Sequence, residues 1–366
     1  MSSAALAVLL TLLLTAFFFL LFFNIIMKLQ MVISARKNLE YKRIIGLKID
    51  RIVSRQDKDS GEYLEEFVLE GRKKGKQYRA MIDEYLLEVL ELPGTKNREQ
   101  LISIARRLDF SSECLAQLRS WNPGISALGA RRAGLYQLME AIDDMIEVLN
   151  VLSIENQFEI LMGLARIGRA EDMRRAFEKI QNNILVNERS VIEILSSFPE
   201  GEEKKRLFRI MIHGDTDYIS ALFLKAMDSE MTRELARDIK IVLNHRNKEV
   251  RIAAVRALTT LDKEAPAEDL IRALEDNDWE VRALAAKALG PIGTPEASQA
   301  LFNALHDQQW WVRQNSANAL MRHPDYESLF VLAAESGDKY TLDSIIAALD
   351  NGDNPILLRS ISNVVA

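Results

Sequence analysis

Residues 276–289 read DNDWEVRALAAKAL, and the rest of the chain can be interpreted from this stretch. Shifting the sequence by 31 residues superposes it on similar stretches before and after. The shared columns are Val-Arg at 250–251, 281–282 and 312–313, Ala-Leu at 257–258, 288–289 and 319–320, and Asp at 276, 307 and 338. A period of about 20–50 residues indicates stacked units of supersecondary structure. We therefore expect a repeat array in the C-terminal third of the chain.

Within one repeat, the apolar side chains have the spacing of helices. A first stripe with helical spacing consists of Val250, Ala253, Ala254, Ala257, Leu258 and Leu261. A shorter stripe follows at Leu270, Ile271 and Leu274, and glycines and prolines between 290 and 295 mark a turn. Each repeat is therefore predicted to be two helices joined by tight turns. The alanine column at 226, 257, 288 and 319 lets neighbouring helices approach closely, because its side chains are small.

The stretch 276–289, with its Val-Arg and Ala-Leu pairs, resembles HEAT repeats of the phycobilisome-lyase-like type. The match is clearest over 244–336 and weakens on both sides across roughly 97–350. The resemblance implies an all-α fold that forms a right-handed α-α superhelix, that is, a HEAT-repeat solenoid. Such a repeat is a scaffold and carries no activity with it.

Two classes of function remain open after this resemblance. Solenoids commonly present a long curved surface to a partner, which favours a non-enzymatic scaffold for protein–protein interaction. The alternative is an enzyme of a HEAT-like family, either bilin-lyase-like or alkylpurine-DNA-glycosylase-like. HEAT-repeat deoxyhypusine hydroxylases are similar in using His-Glu pairs to hold two irons, but this sequence contains no His-Glu dipeptide.

An apolar run over residues 4–27 precedes the first charged side chain, Lys28. A helix of this length spans about 36 Å, enough to cross a hydrocarbon core of about 30 Å with some tilt. The alternative is a cleaved signal peptide, which needs a basic leader and small residues at a cleavage site. The leader here has no basic side chain, and the run ends in Asn-Ile-Ile-Met. We predict an uncleaved transmembrane helix ahead of the solenoid.

The charges beside this span predict its orientation. Residues 28–55 contain eight basic and two acidic side chains, whereas residues 1–27 contain no charged side chain. Basic flanks stay in the cytoplasm, so we expect a single-pass protein of the cell membrane with its N-terminus outside and its body cytoplasmic. Either these charges only fix the topology, or they also contact anionic lipid headgroups.

The remaining charge argues against one class of partner. The whole chain has a net charge of −6 and residues 28–55 have +6, so the residues after 55 carry −12. Contacts with nucleic-acid phosphates need a basic face, and we therefore predict no nucleic-acid partner.

These patterns divide the chain into six segments. They are a transmembrane anchor (1–27), a basic juxtamembrane helical segment (28–55), a helical segment of unassigned packing (56–96), degenerate HEAT-like repeats (97–240), well-formed HEAT repeats (241–350) and a C-terminal tail or cap (351–366). In the third segment, glycines at 61, 71 and 75 leave open a helix pair or a small hairpin.

Residues suited to catalysis or metal binding are few. The four histidines, at 213, 245, 306 and 323, form no HExxH pair, and no glycine-rich phosphate loop occurs. The single cysteine, Cys114, excludes an internal disulfide, and it is either an activated thiol at a helix start or a half-buried apolar residue. We predict no catalytic residue, no metal site and no cofactor.

The repeated arginines and aspartates have a structural interpretation. Arginines recur at 251, 282 and 313, and aspartates at 276, 307 and 338. In HEAT repeats such residues resemble a ladder of hydrogen bonds and salt bridges between neighbouring loops. We therefore expect them to hold the array together and to contribute little to partner binding.

Two surface columns remain as candidates for partner binding. Trp279 and Trp310 occupy one repeat position next to Trp311, and such aromatic residues either anchor an interface or cover the seam between repeats. A second column, Lys225, Arg256 and Lys287, recurs every 31 residues outside the buried stripe. It forms either a basic strip on the concave face or a solvated polar face. The partner we expect is a protein associated with the membrane.

Overall fold

The computed structural model describes residues 3–54, 60–92, 94–180 and 187–351, together with Leu357, Arg359 and Ile361. The side chains of residues 3–14, 60, 151 and 351 are outside this description. Most of the predicted C-terminal tail or cap (351–366) also lies outside the described residues. All regular secondary structure in the described ranges is helical.

The chain divides into two compact units, residues 1–144 and 145–366. The first contains α1 (Ser3–Ser54), α2 (Ser60–Lys73), α3 (Lys76–Glu91), α4 (Arg98–Arg107), α5 (Phe110–Leu118) and α6 (Pro123–Leu135). The boundary falls within α7 (Ile142–Val148).

The second unit contains fourteen described helices. They are α8 (Ile154–Ile167), α9 (Ala170–Lys179), α10 (Glu188–Ser197), α11 (Glu202–Ile212), α12 (Asp217–Lys225), α13 (Ser229–Glu234), α14 (Ala236–Val242), α15 (Lys248–Thr259), α16 (Ala267–Ala273), α17 (Trp279–Leu289), α18 (Pro295–Ala304), α19 (Trp310–Leu320), α20 (Tyr326–Glu335) and α21 (Lys339–Asn351). Short 3-10 helices lie at Met139–Ala141, Leu149–Val151 and Asp262–Glu264.

Helix α1 contains the apolar run and the basic segment in one continuous helix of 52 residues. Among the described residues it is the one helix long and apolar enough to cross a membrane, with a mean hydropathy of 2.1 in a window that is 0% buried. A signal sequence meets the same criterion of length and composition. The helix is therefore a candidate membrane span, and its location and orientation stay predictions.

The C-terminal half of α1 packs into the first unit. Ile45, Ile49 and Ile52 recur at helical spacing, and all three are buried. Gly46 lies against the ring of Tyr85, where an added Cβ would be 3.1 Å from the ring, so this position needs a glycine for close approach. The end of α1 away from the apolar run is thus an integral part of the first unit's core.

Residues 60–91 of the segment 56–96 form a helix pair, one of the two arrangements left open by the sequence. Helices α2 and α3 are joined by a turn at Gly75, whose φ of +86° lies in the region that favours glycine. Tyr78, Ile82, Leu86 and Leu90 of α3 are buried at helical spacing. These apolar residues bring α3 against α1, α2 and α4.

The well-formed repeats build two layers of helices in the second unit. One layer, the inner layer, consists of α12, α15, α17, α19 and α21, each of which contacts the next. The other layer contains α14, α16, α18 and α20, each of which packs on the inner helix that follows it in the chain. This is the stacked arrangement expected from the sequence period, whereas the right-handed twist of the superhelix stays a prediction.

Small residues account for the close packing of the inner layer. Ala285, Ala288 and Ala317 are buried, and a Cβ added to Gly290 would lie 3.4 Å from the Cβ of Ala319 on the next inner helix. Because side chains at these positions are short, few atoms separate neighbouring helices. This close packing brings the turns at the ends of neighbouring inner helices within hydrogen-bonding distance of one another.

Candidate partner-binding surface

An internal ladder of arginines joins successive turns of the array. Arg251 of α15 donates to Asp276 (2.8 and 2.9 Å) and to the carbonyl of His245 (2.7 Å). Arg282 of α17 repeats this arrangement with Asp307 (2.8 and 3.0 Å) and the carbonyl of Asp276 (2.8 Å). Each arginine thus connects the turn before its own helix to the turn before the next inner helix, so its side chain is committed to the repeat.

The pKa of Asp307, which accepts from Arg282, agrees with this structural role. Burial disfavours ionisation of Asp307, but hydrogen bonds from Arg282 and from the backbone N–H of Gln309 outweigh it. The pKa of Asp307 is therefore lowered below its usual value. The aspartate is held ionised by groups of the array itself and is not available to a ligand.

The third rung differs from the sequence prediction. Arg313 keeps its bond to the carbonyl of Asp307 (2.8 Å), but its Nε donates to the carbonyl of Tyr340 (3.3 Å) and its guanidinium lies over the Tyr340 ring. Helix α21 begins directly after Asp338, which accepts hydrogen bonds from the N–H groups of Tyr340 and Thr341. Because the turn between Asp338 and α21 is shorter than in the earlier repeats, this carboxylate caps the helix. The predicted salt bridge between Asp338 and Arg313 is therefore wrong.

A groove of about 920 Å³ crosses the inner layer from α15 to α21. Its polar lining comes from Arg256 on α15, Lys287 on α17, Asn315 and Asn318 on α19, and Arg322 in the turn that follows. Its apolar lining is contributed by small or medium side chains, among them Leu284, Ala288, Pro291, Ala319, Met321 and Ala348. All of the lining residues belong to the described part of the chain, and none of them carries a carboxylate. We name this surface the basic groove.

The three cations of the basic groove are exposed, and no described residue forms an ion pair with them. Arg256, Lys287 and Arg322 are each exposed to solvent, and none has an ion-pair partner within the described ranges. By contrast, Lys248 at the start of α15 pairs with Glu280 at 2.8 Å. An unpaired cluster of one sign in a concave surface raises the local concentration of ligands with the opposite charge.

The structure divides the predicted basic strip. Arg256 and Lys287 come together in the groove, whereas Lys225 ends α12, is half-buried and does not line it. Arg322 and Asn315 line the groove but were not found from the repeat columns. Asn318 occupies the same repeat position as Lys287, and Arg322 follows it by four residues. Helical spacing from Asn318 would therefore have identified Arg322 as a neighbour on the same face.

The predicted tryptophans lie at the other end of the same helices. Trp310 and Trp311 begin α19, are 46% and 55% exposed, and pack edge to face with ring centroids 4.6 Å apart. Trp279 begins α17 and is only half-buried. Trp311, Asn315 and Asn318 recur at i, i+4 and i+7, so they share one face of α19. This helix face connects the aromatic pair to the basic groove.

The histidines and the cysteine have structural surroundings. His213 lies 3.1 Å from Asp238, and His306 lies 3.0 Å from Thr341 Oγ1. His323 is buried against Ser298 Oγ at 2.7 Å. Within the described ranges, no group of three or more His, Cys, Asp or Glu side chains is arranged to hold a metal ion.

Of the two interpretations of Cys114 left open by the sequence, the structure supports the apolar residue over the activated thiol. Its side chain is fully buried in α5, and burial raises the pKa of its thiol to about 12. A nucleophilic thiolate at this position is therefore not formed near neutral pH.

Known structures provide limited comparisons with this chain. An engineered protein covers 88% of the chain and 92% of its own length with 16% identity and a TM-score of 0.34. The match to human deoxyhypusine hydroxylase covers 88% of the chain and 98% of the hydroxylase, with 16% identity and a TM-score of 0.30. The match to importin beta covers 88% of the chain and 48% of importin beta, with 14% identity and a TM-score of 0.36. TM-scores this low establish neither a common overall shape nor a common activity.

Comparison with curated proteins gives no match for this chain. Residues 237–321 match the family described as HEAT repeats. This stretch contains all of α15, α16, α17, α18 and α19, the helices that carry the arginine ladder and most of the basic groove. Within the second unit, residues 237–321 are therefore similar to HEAT repeats.

Proposed function

We propose that this protein is a membrane-anchored, non-enzymatic scaffold whose HEAT repeats bind an acidic segment of a protein partner in the basic groove. HEAT repeats are helical scaffolds and commonly mediate protein interactions. The single observation that carries the proposal is the set of three exposed cations, unpaired among the described residues, in a groove whose described lining has no carboxylate. The acidic character of the rest of the body makes this groove a local exception.

Charge complementarity selects the chemistry of the partner. A segment rich in aspartate and glutamate pairs with Arg256, Lys287 and Arg322, while its backbone can bond to the carboxamide of Asn318. Acidic side chains elsewhere on the body repel the same segment, so the groove sets its orientation as well as its affinity. The adjoining Trp310–Trp311 pair supplies the large, rigid contact area typical of an interface anchor.

The proposed location is the cytoplasmic face of a cell membrane, with α1 as a single span and the N-terminus outside. The support is the apolar character and length of α1 and the eight basic side chains that follow the apolar run. An anchor of this kind restricts the groove to partners at or near the membrane, which favours a membrane-associated complex as the partner.

The experiment is crosslinking in native membranes followed by identification of the proteins that co-purify. Two double variants test the surface: Arg256→Glu with Lys287→Glu in the groove, and Trp310→Ala with Trp311→Ala beside it. The matched control is Arg237→Glu with Lys263→Glu, which reverses two exposed cations of the same unit outside the groove. We expect both test variants to retain helicity and membrane insertion and to lose the partner, whereas the control retains it.

Two results would overturn this proposal. The first is full recovery of the partner by both folded test variants, which would place the interaction elsewhere. The second is specific binding of an oligonucleotide that depends on Arg256 and Lys287, since it would make the groove a nucleic-acid site. The bilin-lyase-like and glycosylase-like alternatives gain no support from the groove, because its described lining has no carboxylate, histidine or cysteine.

A further inference from the structure

We propose that the turn between α2 and α3 is a second membrane contact, which binds anionic lipid headgroups beside the point where α1 leaves the bilayer. This inference rests on the proposed membrane anchor but not on the proposed partner of the basic groove. The turn contains Arg72, Lys73, Lys74, Gly75 and Lys76, five consecutive positions of which four are basic.

The contacts of α3 place this turn at the end of the first unit nearest the apolar run. Gln77, at the start of α3, donates to Asn38 (2.9 Å) and Ser34 (3.5 Å) of α1. Farther along both helices, Tyr85 lies against Gly46. Both residue numbers increase together, so α3 runs parallel to α1 and its first residue is its membrane-proximal end.

The depth of the turn follows from the helix rise. Ser34 and Asn38 follow Lys28, the first charged residue, by about 9 and 15 Å along the helix axis. Gly75 and Lys76 directly precede Gln77, so they lie at about this level, whereas α2 leads away from it to Glu70, which pairs with Lys48 of α1. The headgroup region extends about 5–8 Å beyond the hydrocarbon on each side, and charges act over a Debye length of about 8 Å. The turn is therefore within reach of the headgroups.

The ion pairs of the turn show which cations are available to lipid. Lys74 is committed to the protein, with Glu70 at 2.6 Å and the ring of Tyr78 beneath it, and Arg72 donates to the carbonyl of Arg107 (2.8 Å). Lys73 and Lys76 are exposed, and neither has an ion-pair partner in the ranges that the structure describes.

Helix α1 adds further cations at this level and closer to the apolar run. Lys28, Arg36 and Lys37 are exposed and have no ion-pair partner among the described residues, although Lys37 lies over the ring of Tyr41. Two segments of the chain thus present cations near the apolar run that are unpaired among the described residues. This charge pattern fits an extended anionic surface better than a single acidic side chain.

The test measures hydrogen–deuterium exchange of residues 72–77 in the full chain reconstituted into nanodiscs. One set of discs contains phosphatidylcholine alone, and the other contains phosphatidylcholine mixed with phosphatidylserine. We expect the turn to exchange more slowly in the anionic discs and this protection to disappear at high salt. Inorganic phosphate added to the phosphatidylcholine discs should give no protection, because the proposed ligand is a lipid surface.

Two matched variants assign the effect to the turn. Lys73→Gln with Lys76→Gln should remove most of the protection, since each cation at an anionic surface shifts the equilibrium about fivefold and the pair about 25-fold. The control, Lys96→Gln with Arg106→Gln, removes two exposed cations elsewhere in the first unit and should leave the protection unchanged.

The outcomes distinguish this inference from the proposed anchor and groove. Equal exchange in both kinds of disc, or undiminished protection in the Lys73 and Lys76 variant, would overturn the inference while leaving the anchor intact. Failure of the full chain to enter nanodiscs would instead refute the membrane anchor itself. Protection of the turn by an acidic peptide but not by phosphatidylserine would assign the turn to a protein partner and refute the lipid contact.

Discussion

Replacement of Arg282 by alanine should destabilise the HEAT-repeat array without altering the basic groove. Arg282 makes two hydrogen bonds to the Asp307 carboxylate and one each to the carbonyls of Asp276 and Asn277. It does not line the groove. The substitution therefore removes a connection between turns and leaves Asp307 without its cation.

The size of the effect can be bounded from burial. A hydrogen bond to a charged group contributes roughly 1.5–3 kcal/mol, and removing one partner of a fully buried ion pair costs roughly 3–5 kcal/mol. The side chains of Arg282 and Asp307 are 16% and 13% exposed, so solvent screens part of the loss. The bonds of one guanidinium are also not additive. We expect a decrease in the free energy of unfolding of about 3 kcal/mol.

Tryptophan fluorescence during urea unfolding measures this change in the array. The chain has four tryptophans, and a Trp121→Phe background leaves only Trp279, Trp310 and Trp311, which all lie at the starts of α17 and α19. Arg282→Ala in this background should lower the urea midpoint. Arg256→Ala is the matched control, because this exposed arginine has no ion-pair partner among the described residues and its loss should change stability by about 0.5 kcal/mol or less.

A double-mutant cycle identifies the interaction responsible. Asp307→Asn removes the charge but keeps an oxygen that can accept from the N–H of Gln309. The combined variant should be less unstable than the sum of the two single variants, because both remove the same ion pair. An unchanged midpoint for Arg282→Ala, together with lost partner binding, would refute the structural assignment of the arginine column.

Three further predictions concern other parts of the chain. Cys114 should resist a thiol reagent in the folded chain and react on denaturation, because it is buried; rapid reaction of the native chain would contradict this. Burial holds the pKa of His323 below 6.5, so the stability due to its neutral ring is complete above pH 6.5 and is lost as the pH falls through the folded pKa. Urea midpoints should decrease over this range in the native chain and less in His323→Gln. Protease added to intact cells should spare the body, and its digestion without lysis would refute the proposed topology.

The repeat array could be predicted closely because its pattern is local. Apolar residues at i, i+3, i+4 and i+7 specify a helix whatever the rest of the chain does, and the period of 31 residues places one helix pair after another. The arginine ladder follows from the same pattern at Arg251 and Arg282. It fails at Arg313, since the turn after Asp338 is shorter and the carboxylate caps α21.

The candidate surface was predictable only in part. The repeat columns identified Arg256 and Lys287, but they also selected Lys225, which lies outside the groove. Arg322 belongs to no column, because it is in a turn where the other repeats have Pro291 or Thr260. A column shows which residues are equivalent, whereas a groove depends on which side chains of adjacent helices face the same space.

Helix content, the repeat period, the apolar segment and the distribution of charge are properties of neighbouring residues, and they could be read from the chain in order. Which unpaired cations meet depends on packing between distant segments. Helix α3 packs beside α1, whose Ile45 and Ile49 are buried, and this packing brings Lys76 to the level of Arg36. Burial of apolar surface is non-directional, so sequence patterns show that these helices must pack but not which polar ends they bring together.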